Sequence, residues 1–367
     1  MVINDLGAGG AQRAVLDQAG VLDPARFEVE IASLEFKPGE TWASSSPQVP
    51  VSAPGLRGLV PYLREFRPHI VHAHLVAASV ATVVAARAAG QPRVMATFHN
   101  ITDWEEKRSH PVRVLGRALL HDCAALVAVS DAVRAAIRRV SRDLGERATV
   151  IYNGADLEPF AEVRRGYAVA RARLGYDPRA FVVGGVARLD PRKGMDLLLE
   201  AAALTLDRLP GLQILIVGDG PERGRLETLA RVLGLEARVR LVGEQRDVRP
   251  YLAALDLFAA PSRTEGMGLA IVEALAAGVP VAAARVGGIP EVLQDGAAGW
   301  LVDGGDPRAW ADAIARAAAL PHERQRLSAA GPARAERFSI HHTRHRLEAV
   351  YDRLLGDEAV TPLERAA

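Results

Sequence analysis

The chain has 367 residues, too many for one small module and enough for two domains. Its 45 Lys+Arg against 44 Asp+Glu leave a formal charge of +1, and only 5% of residues are aromatic, which argues against a nucleic-acid partner. With 49% hydrophobic and 24% charged residues the chain reads as globular, and its single cysteine, Cys123, excludes an intramolecular disulfide or a cysteine-cluster metal site.

In chain order, Val2-Ile3 is an apolar pair before the turn residues Asn4-Asp5. It is shorter than an ordinary first strand, so the start codon is expected slightly upstream. Met1 to Gly10 carries no basic n-region or apolar h-region, so no secretory leader is expected, and with one cysteine the compartment reads as cytoplasmic. The longest apolar stretch, Ala73 to Ala86, is too short and too polar to span a bilayer. Glu28 to Ser33 and His69 to His74 read as strands. Leu75 to Ala89 reads as a helix ended by Gly90-Gln91-Pro92, and Arg93 to Phe98 and Ala124 to Val129 as further strands. Ser130 is an N-cap residue for a helix from Asp131 to about Arg142, and Thr149 to Tyr152 is a strand stopped by Asn153-Gly154.

Glu158 to Arg179 is polar and strandless, a linker plus an opening helix. The second half then repeats the alternation: strand Ala180 to Ala187, helix Asp196 to Leu206, and strand Leu212 to Val217 closed by Gly218-Asp219-Gly220-Pro221. A helix to about Leu233 precedes strands Arg238 to Val242, Leu257 to Ala260 and Val279 to Ala284. Ala335 to Leu355 is a long amphipathic helix with no strand after it. Such alternation predicts an α/β chain of two doubly wound parallel sheets, whose ligands bind at the strand C-termini.

Two segments at such ends carry chemistry. Arg188 leaves a strand and Lys193 precedes a helix, so two cations and free backbone amides form an anion site suited to a diphosphate, or else a solvated loop. Only Lys37, Lys107 and Lys193 are lysines in this arginine-rich chain, and one of them falls here. The second segment, Glu265-Gly266-Met267-Gly268-Leu269, enters a helix that reaches Glu273. Eight helical residues span about 12 Å, so the two carboxylates hold separate parts of one extended ligand, or else one caps the helix and the other lies on the surface.

Taken in order with Gly9-Gly10-Ala11, His72-Ala73-His74, Thr97-Phe98-His99, Asn153-Gly154-Ala155-Asp156 and Gly287-Gly288-Ile289-Pro290-Glu291, these segments resemble the retaining glycosyltransferases of family 4 across nearly the whole chain. The resemblance implies the GT-B fold, two facing Rossmann-like domains. Residues 1–160 would form an acceptor domain, joined by a helix at about 336–357 that crosses back to it, and 161–335 a donor domain. It implies a nucleotide-diphosphate sugar as donor and a glycan, lipid-linked saccharide or small molecule as acceptor. Arg188 and Lys193 would grip the diphosphate, Glu265 the sugar and Glu273 the ribose, while backbone amides of Gly266, Met267, Gly268 and Leu269 reach sugar or phosphate. Arg246 and Val248 would flank the base, Gly218 and Gly220 would border the nucleotide, and Gly9 and Gly10 would admit the phosphates. His99 would contact the sugar near the reacting carbon. Of His72 and His74, which alternate at a strand end, one is expected to face the cleft and the other to pack. No cofactor or metal is expected, because no DxD-type pair is present and the two cations supply the positive charge.

The same residues allow three other readings: a nucleotide-sugar 2-epimerase or phosphorylase, a non-catalytic nucleotide-sugar sensor, and a dinucleotide oxidoreductase. The last is disfavoured because Gly7-Ala8-Gly9-Gly10-Ala11-Gln12 lacks the final glycine of G-x-G-x-x-G. Lys107 to Arg147 holds nine Lys/Arg against four Asp/Glu. There Val112, Leu115, Leu119 and Leu120 form an apolar stripe beside Arg113 and Arg117, which predicts a peripheral contact with anionic membrane or a solvated face.

Overall fold

The computed structural model describes residues 1–7, 9–35, 49–91, 93–105 and 116–356. It separates into two compact units, Met1–Gly154 with the segment from Ile340, and Ala155–Ser339. Both boundaries differ from the expected 160/161 and 335/336. Residues 155–166 belong with unit 2: the 3-10 turns Glu158–Phe160 and Val163–Gly166 lead into the helix Tyr167–Arg173. That helix is fastened by Arg171 Nη1 donating to Asp256 Oδ2 at 2.8 Å.

Unit 1 is a seven-stranded sheet in the order β3-β2-β1-β4-β5-β6-β7, with every described pairing parallel. Its strands are β1 (Val2–Ile3), β2 (Ile31–Ser33), β3 (Val51–Ser52), β4 (Val71–His74), β5 (Val94–Phe98), β6 (Ala125–Ala128) and β7 (Ala148–Val150). The short β1 lies at the centre of the sheet, where Val2 pairs with both Ala32 and Ala73. Ser130 caps the helix Asp131–Val140, its side chain accepting from Val133 N. The helix Ile340–Leu355 belongs to this unit: Leu347, Val350 and Tyr351 pack with Met95, Val127 and Ile151, and Thr343 Oγ1 donates to Tyr152 O at 2.9 Å. A Cβ on Gly154 would lie 2.5 Å from Ile340 Cα, so a glycine is what lets that helix begin so close to the end of the sheet.

Unit 2 is a six-stranded parallel sheet in the order β10-β9-β8-β11-β12-β13. Its strands are β8 (Phe181–Val186), β9 (Leu212–Val217), β10 (Val239–Leu241), β11 (Leu257–Ala260), β12 (Val281–Ala284) and β13 (Trp300–Val302). The central strands are almost wholly apolar because helices cover both faces. Ile214, Ile216, Leu257 and Ala259 share a core with Leu198, Ala202, Trp310 and Ile314 of the covering helices. Among the described residues no helix is long and apolar enough to cross a membrane.

Candidate functional site

In unit 2, β8 continues through β9 to the edge strand β10, after which the chain returns to lay β11 on the other side of β8. Loops leaving the C-terminal ends of β8 and β11 therefore diverge, and the crevice between them is where ligands of such sheets bind. After β8, Arg188 is exposed, and Asp190 accepts from Arg192 N at 2.9 Å to open the 3-10 turn Pro191–Lys193. Gly194 follows with φ 65° at the start of the helix Met195–Thr205. A Cβ at this position would sit 2.0 Å from Pro261 O, so the β8 and β11 loops meet backbone to backbone.

After β11, the chain passes Glu265 and reaches Gly268, which opens the helix Leu269–Ala276. Lys193 Nζ donates to Glu265 Oε2 at 2.5 Å, with 27% and 17% of the two side chains exposed. A cation and an anion thus meet across the switch point, partly out of water, where each interaction with a ligand is stronger than on an open surface. Glu273 is partly buried within that same helix, about one turn past its start. Gly266 is buried, Leu269 is partly buried, and Met267 is a core side chain at 2% exposure, so it offers a ligand only its backbone.

Two residues that the sequence did not single out hold these loops together. Arg263 donates through its backbone N to Arg192 O at 2.7 Å and through Nη1 to Pro191 O at 2.7 Å. Its guanidinium also grips Asp196 in a two-pronged contact of 2.8 and 3.0 Å. Arginine suits this fork geometry, which fixes orientation as well as charge. The pairing joins residues 67 apart and arises from β11 lying beside β8, which no local pattern encodes.

Gly218 and Gly220, expected beside the nucleotide, are required by the protein itself. Their φ angles are 130° and 156°, and Cβ atoms there would lie 1.9 Å from Ala187 O and 2.4 Å from Leu189 O. They let the β9 loop press against the backbone on either side of Arg188. Arg246 is exposed and Val248 partly buried in the loop after β10, two strands from β8.

Unit 1 has its own switch point, between β1 and β4. Gly9 opens the helix Gly10–Val21, and a Cβ on Gly10 would meet nothing within 4 Å. At the ends of β4 and β5 lies a chain of buried polar groups. Gln18 Nε2 donates to Asn153 Oδ1 at 3.2 Å, and Asn153 Nδ2 faces His99 Nδ1 at 3.2 Å. His99 Nε2 is 3.0 Å from His74 Nδ1. His72 contacts Tyr351 OH through Nδ1 and Thr97 Oγ1 through Nε2, each at 2.7 Å. Two expectations change here. His72 and His74 share one face of β4, their ring centroids 4.2 Å apart, and both are buried, so neither lines an open cleft. His99 is only 8% exposed with both ring nitrogens engaged, so a ligand hydroxyl reaches a ring nitrogen only by displacing His74 or Asn153. Burial lowers the pKa of His99 to about 4 and those of His72 and His74 well below the usual imidazole value, so all three rings are neutral at pH 7.

Comparison with known proteins bears on this geometry. Residues 8–159 match Glycosyltransferase Family 4 and residues 169–334 match Glycosyl transferases group 1. The D-inositol 3-phosphate glycosyltransferase of Corynebacterium urealyticum is 32% identical over 286 residues, 75% of this chain and 68% of that protein. The chain belongs to the family 4, group 1 glycosyltransferases. The enzyme of the same name from Mycolicibacterium smegmatis is 39% identical over 67% of this chain, but that match spans only 57% of its own length. Among solved structures, Anabaena Alr3699/HepE in complex with UDP superposes with a TM-score of 0.82 at 25% identity, covering 96% of this chain and 99% of that one. WaaG, a glycosyltransferase involved in lipopolysaccharide biosynthesis, shares the fold with a TM-score of 0.74 at 17% identity, covering 97% and 100%.

Two other features of this glycosyltransferase lie away from the switch points. A cavity of about 470 Å³ lined by Arg64, Arg67, His69 and Arg93 sits at the opposite, N-terminal edge of β4 and β5. The helices Gly55–Phe66 and Val76–Ala89 both end there, and Arg64 Nη2 donates to Ala88 O at 2.8 Å, so the arginines complement carbonyl-rich helix ends. Of the expected membrane stripe, Lys107, Val112, Arg113 and Leu115 lie outside the described residues. Leu120 is fully buried and Arg117 donates to Trp104 O at 3.3 Å, so Leu120 contributes to the core rather than to a lipid-facing surface.

Proposed function

We propose that the protein transfers a glycosyl group from a nucleoside-diphosphate sugar to an acceptor hydroxyl, with retention of anomeric configuration and without a metal. The observation that carries this reading is the Lys193–Glu265 pair held across the β8/β11 switch point. A diphosphate entering the crevice draws Lys193 toward it, with Arg188 leaving the same strand end. The freed Glu265 carboxylate then accepts hydrogen bonds from sugar hydroxyls, and Glu273, in the helix that follows, accepts from the ribose. The two cations stabilise charge that develops on the departing diphosphate, the task a metal ion performs elsewhere. A carboxylate occupied by hydrogen bonds from sugar hydroxyls is a poor nucleophile, which favours attack by the acceptor hydroxyl from the face the diphosphate leaves, through an oxocarbenium-like state. The name of the relatives supports a polyol phosphate as the first acceptor to try, and the UDP in the Anabaena protein supports a uridine donor.

The test is a panel of UDP-, GDP- and ADP-sugars with inositol phosphate and simple glycan acceptors, in buffer containing EDTA. Transfer with an α-linked product from an α-linked donor is the expected result. Donor epimerised without acceptor would replace this reading with the epimerase. Lys193→Ala and Glu265→Ala are each expected to lower turnover by roughly 100-fold or more while thermal unfolding stays cooperative. Near-wild-type turnover in either variant overturns the assignment.

A further inference from the structure

The buried chain at the ends of β4 and β5 fixes more than the position of a ring. The amide nitrogen of Asn153 can only donate, so His99 Nδ1 accepts, and the amide is oriented by Gln18 donating to its oxygen. A neutral His99 therefore carries its proton on Nε2 and donates it to His74 Nδ1. His74, being neutral as well, holds its own proton on Nε2, a buried atom with no hydrogen-bond partner. Leaving a buried donor unpaired is costly, and natural cores rarely tolerate it without a reason.

The backbone beside His74 is unusual too. Leu75, the next residue, has φ 71° and ψ 155°, a conformation that branched and bulky residues seldom adopt. It is held there by Leu75 N donating to Thr97 O at 2.9 Å and by Leu75 O accepting from Ser79 N and Oγ, at 3.0 and 2.6 Å. Strain maintained by its surroundings at a strand-to-helix turn of the switch point is a sign of a position under functional constraint. Its effect is to end β4 with the His74 ring against His99, with ring centroids 5.3 Å apart.

We propose that His74 is a positioning residue of this glycosyltransferase: together with Asn153 it locks His99 in one rotamer and in the Nε2-protonated neutral tautomer. This rests on the proposed function and on the family resemblance, which implies that His99 contacts the donor sugar. A neutral ring of fixed orientation presents no positive charge to an oxocarbenium-like sugar. An imidazolium at the same place would oppose the charge developing there. Fixing the tautomer also decides which ring edge donates and which accepts before any ligand arrives.

Long-range proton–nitrogen correlation spectra of the full chain labelled in its histidines read the tautomer directly. His99 is expected to show a protonated Nε2 and an unprotonated Nδ1, and the opposite pattern overturns the proposal. His74→Asn keeps an acceptor where Nδ1 stands and is expected to preserve both the tautomer and kcat within about threefold. His74→Leu removes the acceptor, and kcat is expected to fall about 10- to 100-fold with little change in donor KM, the size of effect that follows from one buried hydrogen bond lost. Equal kcat in the two variants, with the wild-type tautomer in both, overturns it. Should His74→Leu fail to fold, Asn153→Asp serves instead, because a carboxylate can only accept and must place a proton on His99 Nδ1. An unchanged tautomer in that variant also overturns the proposal. The spectra need no donor, so a chain that transfers no sugar but shows the expected tautomer refutes the function and leaves the ring geometry standing.

Discussion

The two units solve the same topological problem with opposite chemistry. Each parallel sheet opens a crevice where strand order reverses, β8/β11 in unit 2 and β1/β4 in unit 1. Unit 2 places charge there: Lys193 on Glu265, both partly exposed, and the exposed Arg263 on the buried Asp196. Unit 1 places three neutral imidazoles and two amides there, all buried. Charge is costly to bury and effective toward a charged ligand, whereas neutral hydrogen bonds survive burial and fix orientation. Had both crevices been built alike, the chain would hold either two phosphate sites or two uncharged pockets. In the proposed function the diphosphate falls to the charged crevice of unit 2, and the buried rings of unit 1 are built to hold orientation rather than charge.

The largest effect that tests this contrast is the loss of turnover in Lys193→Ala and Glu265→Ala, since the proposed function sets Lys193 on the departing diphosphate and Glu265 on the donor sugar. A smaller one separates holding from binding. Arg263 touches Pro191, Arg192 and Asp196 on the neighbouring loop, so Arg263→Ala is expected to lower kcat/KM roughly 10-fold by loosening the placement of Lys193. Asp196→Asn is expected to cost a similar factor, and the double variant little more than either, because neighbours in one network are not additive. Full additivity would show that the two side chains act separately.

The sequence made the strand–helix alternation legible because the central strands are buried on both faces and read as continuous apolar runs, Leu212 to Val217 above all. It left β13 unseen, since Trp300–Val302 is three residues long, and it left β1 as a pair too short to trust. Lys193 and Glu265 were legible because a lysine is rare in this chain and each residue stands just before a helix. Arg263, Asp196 and Gln18 were not, because their meaning lies in contacts across 67 and 135 residues that only the sheet order creates. The histidines were noticed, but their burial was not. Side chains two apart on a strand share a face, so one histidine could not pack while the other faced a cleft, and the layer over that face of β4 buries both rings 4.2 Å apart.

Acid should distinguish the two units as well. The histidines of unit 1 have an ordinary pKa near 6.5 when unfolded. Burial depresses it in the fold, to about 4 for His99 and well below the usual value for His72 and His74. Between those limits the unfolded chain binds more protons than the folded one, so stability falls as pH drops from about 7 toward 4. The slope reaches at most about 1.4 kcal/mol per pH unit for each ring. Among the described residues the buried histidines all lie in unit 1. Urea unfolding at pH 7.5, 6 and 5 is therefore expected to show unit 1 weakening first, and His99→Phe is expected to flatten the dependence. A midpoint that does not move between pH 7.5 and 5 would show that the three rings are not held neutral by the fold.

The smallest expected effect concerns two glycines that look alike in sequence and differ in kind. At Gly218 an added Cβ would lie 1.9 Å from Ala187 O, in a backbone conformation unfavourable to other residues, so Gly218→Ala is expected to destabilise unit 2 by about 2 kcal/mol or more. At Gly10, the first residue of its helix, an added Cβ meets open space, and alanine there restricts only the unfolded chain. Gly10→Ala is expected to leave stability unchanged or raise it by up to about 1 kcal/mol. If that glycine is kept for the close approach of a donor, as its family resemblance implies, the stable variant will nevertheless bind a nucleoside-diphosphate sugar more weakly, as a titration would read. A Gly10→Ala protein that is at least as stable as the parent and binds the donor equally well would show that this glycine plays no part in donor binding.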